Sequence, residues 1–243
     1  MTPPLFLVAD LGSGASIVLT GAEAHHAGTV KRLIPGEVVW LADGNGGLAE
    51  TTVASVTRDQ VVCTVTLRRD VPERRPRLVV AQALPKGERA ELAVEILTEL
   101  GVDEIVPWSA GRSITQWRGD KAARGVEKWR RTAREAAKQS RRARVPVVTE
   151  LTSTKALADR VSTVGVSLIL HEDAVEPLQS VAIDSADEVL LVVGPEGGLA
   201  DDELVLFTDR GAKTVRLGPE VLRTSTAGAA ALAVLASRTG RWH

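Results

Sequence analysis

The stretch VLLVVGPEGGLADDEL (residues 189–204) passes from an apolar run to an acidic one through Gly194-Pro195-Glu196-Gly197-Gly198. An unbroken run of Val and Leu suits a strand buried on both faces, and such strands belong to largely parallel sheets covered by helices. The acidic residues that follow suit the first turn of a helix. Glycine at the strand end lets a flat ring come close to the main chain, and proline stiffens the loop. A plain strand-to-helix turn would use the same residues. The surrounding strand ends weigh between the two.

Two further strands end in comparable fashion. VSLILHE (166–172) closes on Leu170-His171-Glu172, and KTVRLG (213–218) closes on Leu217-Gly218, followed by Leu222-Arg223-Thr224-Ser225-Thr226. In open α/β sheets ligands bind beyond the carboxyl ends of the strands. The competing explanations are a core histidine at 171 and N-capping of the last helix by one of Thr224, Ser225 and Thr226. No cation lies in the first two loops and Arg223 is the only one read in the third, which disfavours a triphosphate. An uncharged or cationic ligand fits better, such as an adenosine carrying a sulfonium. There is no GxGxxG, GxxxxGK[ST] or GxSxG, and the four histidines (25, 26, 171, 243) lack metal-ligand spacing. Dinucleotide, Walker-type, nucleophile-elbow and zinc chemistry therefore recede, and no metal is expected.

Outward from this region the chain changes character near residue 72. LFLVA, ASIVLT, EVVWLAD, LAETTVASV and QVVCTVTLRR read as short strands, with glycine-rich DGNGG (43–47) suited to a hairpin. One helical insert, GAEAHHAGTVKRLIPGE, places Ala24, Ala27, Val30 and Ile34 on one face. Five strands and a helix predict a small β-barrel over 1–72. The charged, proline-marked RRDVPERRPR (68–77) is read as a linker, and 73–243 as one α/β domain. In that domain RLVVAQAL and DEIVPW are strands, and KGERAELAVEILTELGV is a helix burying Leu92, Ala93, Ile96, Leu97 and Leu100, with Gly101 past its end. The basic segment 121–144 is a helix with Ala122, Val126, Trp129, Ala133 and Ala137 inward. The closing TAGAAALAVLASRTG is a small-residue helix.

A formal net charge of −1 conceals an asymmetry. Residues 110–146 hold twelve Lys/Arg against three acidic residues, a net +9, while residues 150–243 carry a net −6. Concentrated positive charge in a near-neutral chain points to a polyanion, although a solvated helix face has the same composition. The single cysteine, Cys63, allows no disulfide within the chain. With no long apolar run or basic leader, a cytoplasmic location without membrane contact is expected.

Together, LLVVGPEGGLADDEL and VRLGPEVLRTSTAGAAAL resemble the ribosomal RNA small subunit methyltransferase E family of the SPOUT superfamily. The likeness runs nearly end to end. AHHAGTVKRLIPGE matches a His-x-x-x-Val-x-Arg segment at His26 and Arg32. ALPKGERAELAVEILTELGVDEIVPW matches a strand–helix–strand unit with Lys86 and Gly87 in its basic-Gly position. KWRRTAREAAKQSRRARVP matches a helix ending in Gln-x-x-Arg-x-x-x-Pro, here Gln139, Arg142 and Pro146.

The resemblance implies a PUA-like barrel followed by an α/β domain with a deep trefoil knot at about 165–240. It also implies a homodimer that binds S-adenosylmethionine and methylates N3 of one uridine near the 3′ end of 16S rRNA. The donor would lie among Leu170, His171, Glu172, Gly194, Pro195, Glu196, Gly198, Leu217, Gly218, Leu222, Arg223, Thr224 and Thr226. His26, Lys31, Arg32, Lys86, Arg112, Arg141, Arg142 and Arg144 would face RNA, with Trp117 or Trp129 a candidate to stack a base. Arg223 and Glu196 are the catalytic candidates: a cation to stabilise a uracil anion, a carboxylate to take its proton, with Glu172 an alternative base.

Two positions depart from the pattern. The family commonly reads Leu-Arg-x-Glu-Thr-Ala where this chain has Leu222-Arg223-Thr224-Ser225-Thr226-Ala227, and Lys138 stands where Glu is common. Ser225 keeps open a non-catalytic RNA-binding assembly factor. Another methylation position, such as a ribose 2′-hydroxyl, is the alternative within the enzyme class.

Overall fold

The computed structural model describes residues 2–183 and 186–242. Contacts divide it into two units: residues up to Glu73 together with Ala137–Val145, and Arg74–Ala136 together with the chain from Pro146 onward. Segment 137–145, which the linear reading keeps with the α/β half, thus packs within the first unit.

That unit is built on β1 (Leu5–Leu7), β2 (Ser16–Thr20), α1 (Gly21–His25), β3 (Val38–Ala42), β4 (Gly47–Val56) and β5 (Gln60–Asp70). The strands form one sheet in the order β1-β3-β4-β5-β2, antiparallel except for β1 with β3. No pairing joins β1 to β2 among the described residues. The helical insert buries Ala24 and Ala27 among Phe6, Ile17 and Leu19, and His26 meets the Phe6 ring edge-on at 5.6 Å. After α1 the chain widens into a π-turn over His26–Val30, with the Lys31 amide donating to the His26 carbonyl at 2.8 Å. This wide turn breaks the 3.6-residue phase. Val30 and Ile34, expected inside, are therefore 61% and 62% exposed, and Leu33 is buried in their place.

Segment 137–145 completes this unit. Ala143 joins Leu5, Leu7, Ala42 and Leu48 in an apolar cluster. The Gly46 amide donates to the Ala143 carbonyl and the Val145 amide to the Gly44 carbonyl. Arg144 Nε donates to the Val71 carbonyl at 2.8 Å, and a Cβ at Gly46 would stand 2.8 Å from that same oxygen. Lys138, itself buried, pairs with Glu23 at 2.8 Å.

The second unit carries β6 (Arg77–Ala83), α2 (Arg89–Glu99), β7 (Glu104–Ser109), α3 (Asp120–Gln139, to Ala136), β8 (Val147–Val148), β9 (Thr152–Ser153), α4 (Thr154–Val161), β10 (Val166–Leu170), β11 (Glu188–Val193), α5 (Asp201–Asp209), β12 (Lys213–Val215) and α6 (Thr224–Arg238). The described strands form a parallel sheet ordered β12-β10-β11-β6-β7-β8, with β9 also on β7. Its central strands are buried on both faces, as their apolar runs predict. Leu78 and Val80 point to the side holding α2, Trp129 of α3, and α6, while Val79 and Ala81 point to α4 and α5. Alternation along a strand sends neighbouring side chains to opposite faces.

On α2 Ala93 and Leu97 are buried as expected, but Ala90, Val94 and Thr98 complete the inward stripe in place of Leu92 and Ile96. Leu92 is 43% exposed, because the stripe lies one position away from the Leu92–Ile96 row. Gly101 (φ +93°) ends this helix in the left-handed conformation that glycine adopts without strain. On α3, Val126, Trp129, Ala133 and Ala137 are buried as expected, and Ala122 is half-buried. Trp117 stands edge-on to Trp129 at 5.3 Å and lies over Gly125, where a Cβ would come within 2.6 Å of the ring. Trp129 is thus a packing residue, while Trp117 packs against it and stays half-buried.

At the N-terminal edge of the sheet Arg77 and Arg160 each bond both Glu104 and Glu188. Burial pulls both guanidinium pKa values down, but the two carboxylates outweigh it and hold them above the ordinary arginine value.

Candidate functional site

Because β12, β10 and β11 are adjacent and parallel, the loops at their carboxyl ends leave the sheet side by side. Between them lies a cavity of about 290 Å³. The first loop contributes Leu170, His171 and Glu172; the second contributes Gly194, Pro195, Glu196 and Gly198; the third contributes Leu217, Gly218, Leu222, Arg223 and Thr224. Of the residues expected around one ligand, Thr226 alone is not on the wall. Its hydroxyl turns back to the Arg223 carbonyl at 3.2 Å.

The turn at 194–198 is shaped by its glycines. A Cβ on Gly194 would stand 2.6 Å from Leu199 Cδ1, so only glycine lets Leu199 fold onto the cavity wall. Gly198 has φ +71°. Beyond the turn, Glu203 of α5 is 5% exposed. Its Oε1 accepts from the Gly111 amide at 2.8 Å and the Thr154 hydroxyl at 2.9 Å, and its Oε2 from the Ala200 amide at 3.1 Å. Arg112 adds a bond to the Leu199 carbonyl at 2.9 Å and an ion pair with Asp201 at 3.3 Å. The turn is therefore held from outside by side chains that leave the cavity free.

The third loop is the least tied. The amides of Leu217, Gly218, Glu220, Val221 and Leu222 make no hydrogen bond to the described residues. Unpaired donors beside an apolar wall of Leu170, Val193, Leu199, Val215 and Ala227 suit a ligand that is flat and heteroaromatic at one end. Arg223 is the N-cap of α6 in extended conformation, and its carbonyl accepts from the Thr226 and Ala227 amides at 2.8 Å. The expected capping by Thr224, Ser225 or Thr226 does not occur: Thr224 and Ser225 are buried in the first helical turn. The Arg223 guanidinium is exposed and makes no hydrogen bond or ion pair with the described residues.

Three carboxylates line the cavity. Glu196 Oε1 accepts from the Lys86 amide at 3.0 Å, tying the loop after β6 to the 194–198 turn. Glu172 is exposed on the first loop, and Glu220 was not singled out from the sequence. His171 Nδ1 accepts from the Asp173 amide at 3.2 Å, which places the proton of the neutral ring on Nε2. Arg216 is a second lining arginine that sequence reading missed. It follows β12 inside the quoted VRLGPEVLRTST, but an arginine beside a strand end carries no signal of which way it turns.

The residues expected to meet RNA are more dispersed. His26 is half-buried against Phe6, while Lys31 and Arg32 are exposed just past the π-turn. Arg32 and Arg141 have positive φ, 54° and 58°. Lys86 and Arg141 are exposed, and Arg142 is half-buried with partners of its own. Arg112 and Arg144 are engaged in the structural contacts described above, Arg144 also lying 3.8 Å from Glu73. On α3, Lys121, Arg131 and Arg134 are exposed, whereas Lys128 pairs with Glu91 and Arg130 with Glu150. Among the described residues no group of His, Cys, Asp and Glu is placed to hold a metal, and no helix is long and apolar enough to cross a membrane. His243, one of the four histidines considered, lies outside the described residues.

An RNA methyltransferase domain family matches residues 72–236, and an RNA methyltransferase PUA domain family matches residues 19–66. The chain is 46% identical over 247 residues to Ribosomal RNA small subunit methyltransferase E of Mycobacterium bovis, covering 100% of this chain and 94% of that protein. With the protein of the same name from Bacillus subtilis it shares 32% over 232 residues, covering 91% and 90%. A Legionella pneumophila structure solved in complex with the cofactor SAM superposes with a TM-score of 0.87 at 28% identity, covering 98% of both chains.

Proposed function

Since the chain belongs to the ribosomal RNA small subunit methyltransferase E family, we propose that it methylates ribosomal RNA with S-adenosylmethionine as donor. The target is N3 of a uridine near the 3′ end of 16S rRNA in the small ribosomal subunit. The cavity between the three strand-end loops carries this reading, with its apolar wall, its unpaired amides and no lysine among its lining residues.

When bound, S-adenosylmethionine supplies a methyl group made electrophilic by its sulfonium. Leu170, Val193, Leu199 and Ala227 would wall an adenosine, and the free amides of 217–222 would meet its polar edge. N3 of uracil carries a proton at neutral pH, so the site must remove or share it. Glu196, with Oε2 left over from the Lys86 contact, and Glu172 are the lining carboxylates proposed to accept that proton. Arg223, unpaired and exposed, would stabilise the charge left on the uracil ring. The exposed basic residues Lys121, Arg131, Arg134 and Arg141, with Lys31 and Arg32, would hold phosphates, which fix register without reading sequence.

The finer fold and assembly features belong to the same proposal. In the trefoil knot, the chain after β12 would thread past the 194–199 turn; α6 returning over β6 and β11 supports this. In the PUA-like barrel, α1 and the π-turn would fill the gap between β1 and β2; Phe6 against His26 supports this. A cytoplasmic homodimer is proposed, for which Val175 and Val221, 89% and 77% exposed, are the supporting surface.

The test is to incubate the protein with S-adenosylmethionine and small subunits from a strain lacking the gene, then to analyse nucleosides by mass spectrometry. 3-Methyluridine at one position is expected. A ribose-methylated product, or no product with donor bound, would sink the proposal.

A further inference from the structure

Gln82 is a polar side chain where the sheet offers almost none. It lies near the carboxyl end of β6, the strand beside β11, opposite Val193 in the register, and is 1% exposed. Its Nε2 donates to its neighbour's carbonyl, Ala83, at 3.1 Å and across the structure to the Thr224 carbonyl at 3.2 Å. Its Oε1 is buried without a partner. A buried acceptor left unpaired costs on the order of 1–3 kcal/mol. An apolar residue of the same shape would avoid that cost, as Val80 and Ala81 do nearby.

What the amide holds explains its presence. Thr224 opens α6 and lines the cavity, directly after Arg223. As the non-proline amides from Leu217 to Leu222 make no hydrogen bond to the described residues, the Gln82 bond is a tether at the point where the loop becomes helix. The helix can come this near because Gly228, one turn on, has no side chain. A Cβ there would stand 3.3 Å from Gln82 Oε1 and 3.2 Å from Val193 Cγ2.

We infer that Gln82 is a positioning residue: its carboxamide clamps the Thr224 carbonyl and so sets the third loop, with Leu222 and Arg223, against the donor cavity. The inference rests on the proposed function for what the loop binds, but the clamp itself concerns this chain alone.

The test uses two variants of the whole protein, Gln82→Met and Gln82→Glu, with donor affinity by calorimetry from pH 6 to 8.5. Gln82→Met keeps the volume and loses the donor group. It should bind S-adenosylmethionine on the order of tenfold more weakly at every pH, the effect of about one hydrogen bond, with melting temperature little changed. A glutamate buried there has its pKa raised toward neutrality by desolvation. Protonated it can donate to Thr224, and ionised it cannot. Gln82→Glu should therefore match Gln82→Met at pH 8.5 and approach wild type at pH 6, a recovery that a merely space-filling role would not produce. Hydrogen exchange at the Thr226 and Ala227 amides, which donate to the Arg223 carbonyl beside the clamp, should be faster in ligand-free Gln82→Met. Wild-type donor affinity in Gln82→Met, or the absence of pH recovery in Gln82→Glu, would overturn the clamp. So would unchanged exchange, which is readable even if a variant is less stable. A wild type that bound no donor would count against the methyltransferase reading, while the exchange rates would still decide the clamp.

Discussion

Glu203 Oε1 accepts the amide of Gly111 at 2.8 Å, across 92 residues of chain. With the Thr154 hydroxyl and the Ala200 amide it gives one carboxylate three donors, all around the turn that forms the cavity's second wall. Glu203→Ala would leave those donors without their partner. A loss of about 3 kcal/mol in urea unfolding is expected, from several orphaned donors at on the order of 1 kcal/mol each. Glu203→Gln keeps one acceptor and should lose distinctly less.

Arg223 presents a different expectation, because nothing in the described protein uses its side chain. Arg223→Ala should leave the melting temperature unchanged and lower single-turnover methyl transfer on the order of 100-fold, the usual scale for removing one charge-stabilising donor. RNA affinity, measured by filter binding, should fall only a fewfold. Equal losses in both would make Arg223 a phosphate clamp.

Glu104, 6% exposed, bonds both Arg77 and Arg160. Its replacement by alanine strands two guanidinium groups on one remaining partner, Glu188, and should destabilise by about 3 kcal/mol. Replacing Glu104 and Arg160 together with leucine and methionine should recover much of that, since the desolvation of both charges goes with them. Chemical denaturation of the single and double variants separates the two terms.

Cys63 lies in the first unit's core, and burial pushes its thiol above the ordinary value of 9.0, partly offset by Thr51. The folded state therefore favours the neutral thiol. Its contribution to stability is complete below the unfolded thiol's pKa and is lost as pH rises from about 9 toward the folded value. A thiol-specific reagent at pH 8 should modify Cys63 only on unfolding, and Cys63→Ala should flatten the alkaline end of the stability curve.

The parts of this protein legible in its sequence are those with a short-range signature. Val189–Val193 could hardly be anything but a doubly buried strand, and its order relative to 166–170 and 213–215 brought the three loops together. Long-range choices left no such trace. Periodicity marked 121–144 as a basic helix but carried no hint that Ala143 packs on β1 and β4 or that Arg144 bonds the Val71 carbonyl just past β5. The π-turn at His26–Val30 shifted the phase by a residue, exposing Ile34 and burying Leu33, because helical templates assume a constant period. Gln82 passed as one polar residue in an apolar strand, its partner standing 142 positions away.

Segment 137–145 has a consequence for biogenesis. The first unit is discontinuous: residues up to Glu73 begin it and Ala137–Val145 finish it. On a ribosome, its apolar face of Leu5, Leu7 and Leu48 stays uncovered while some sixty intervening residues are made, until Ala143 emerges. A nascent chain stalled at residue 73 would thus hold all five strands with that apolar face still bare, a ready client for chaperones.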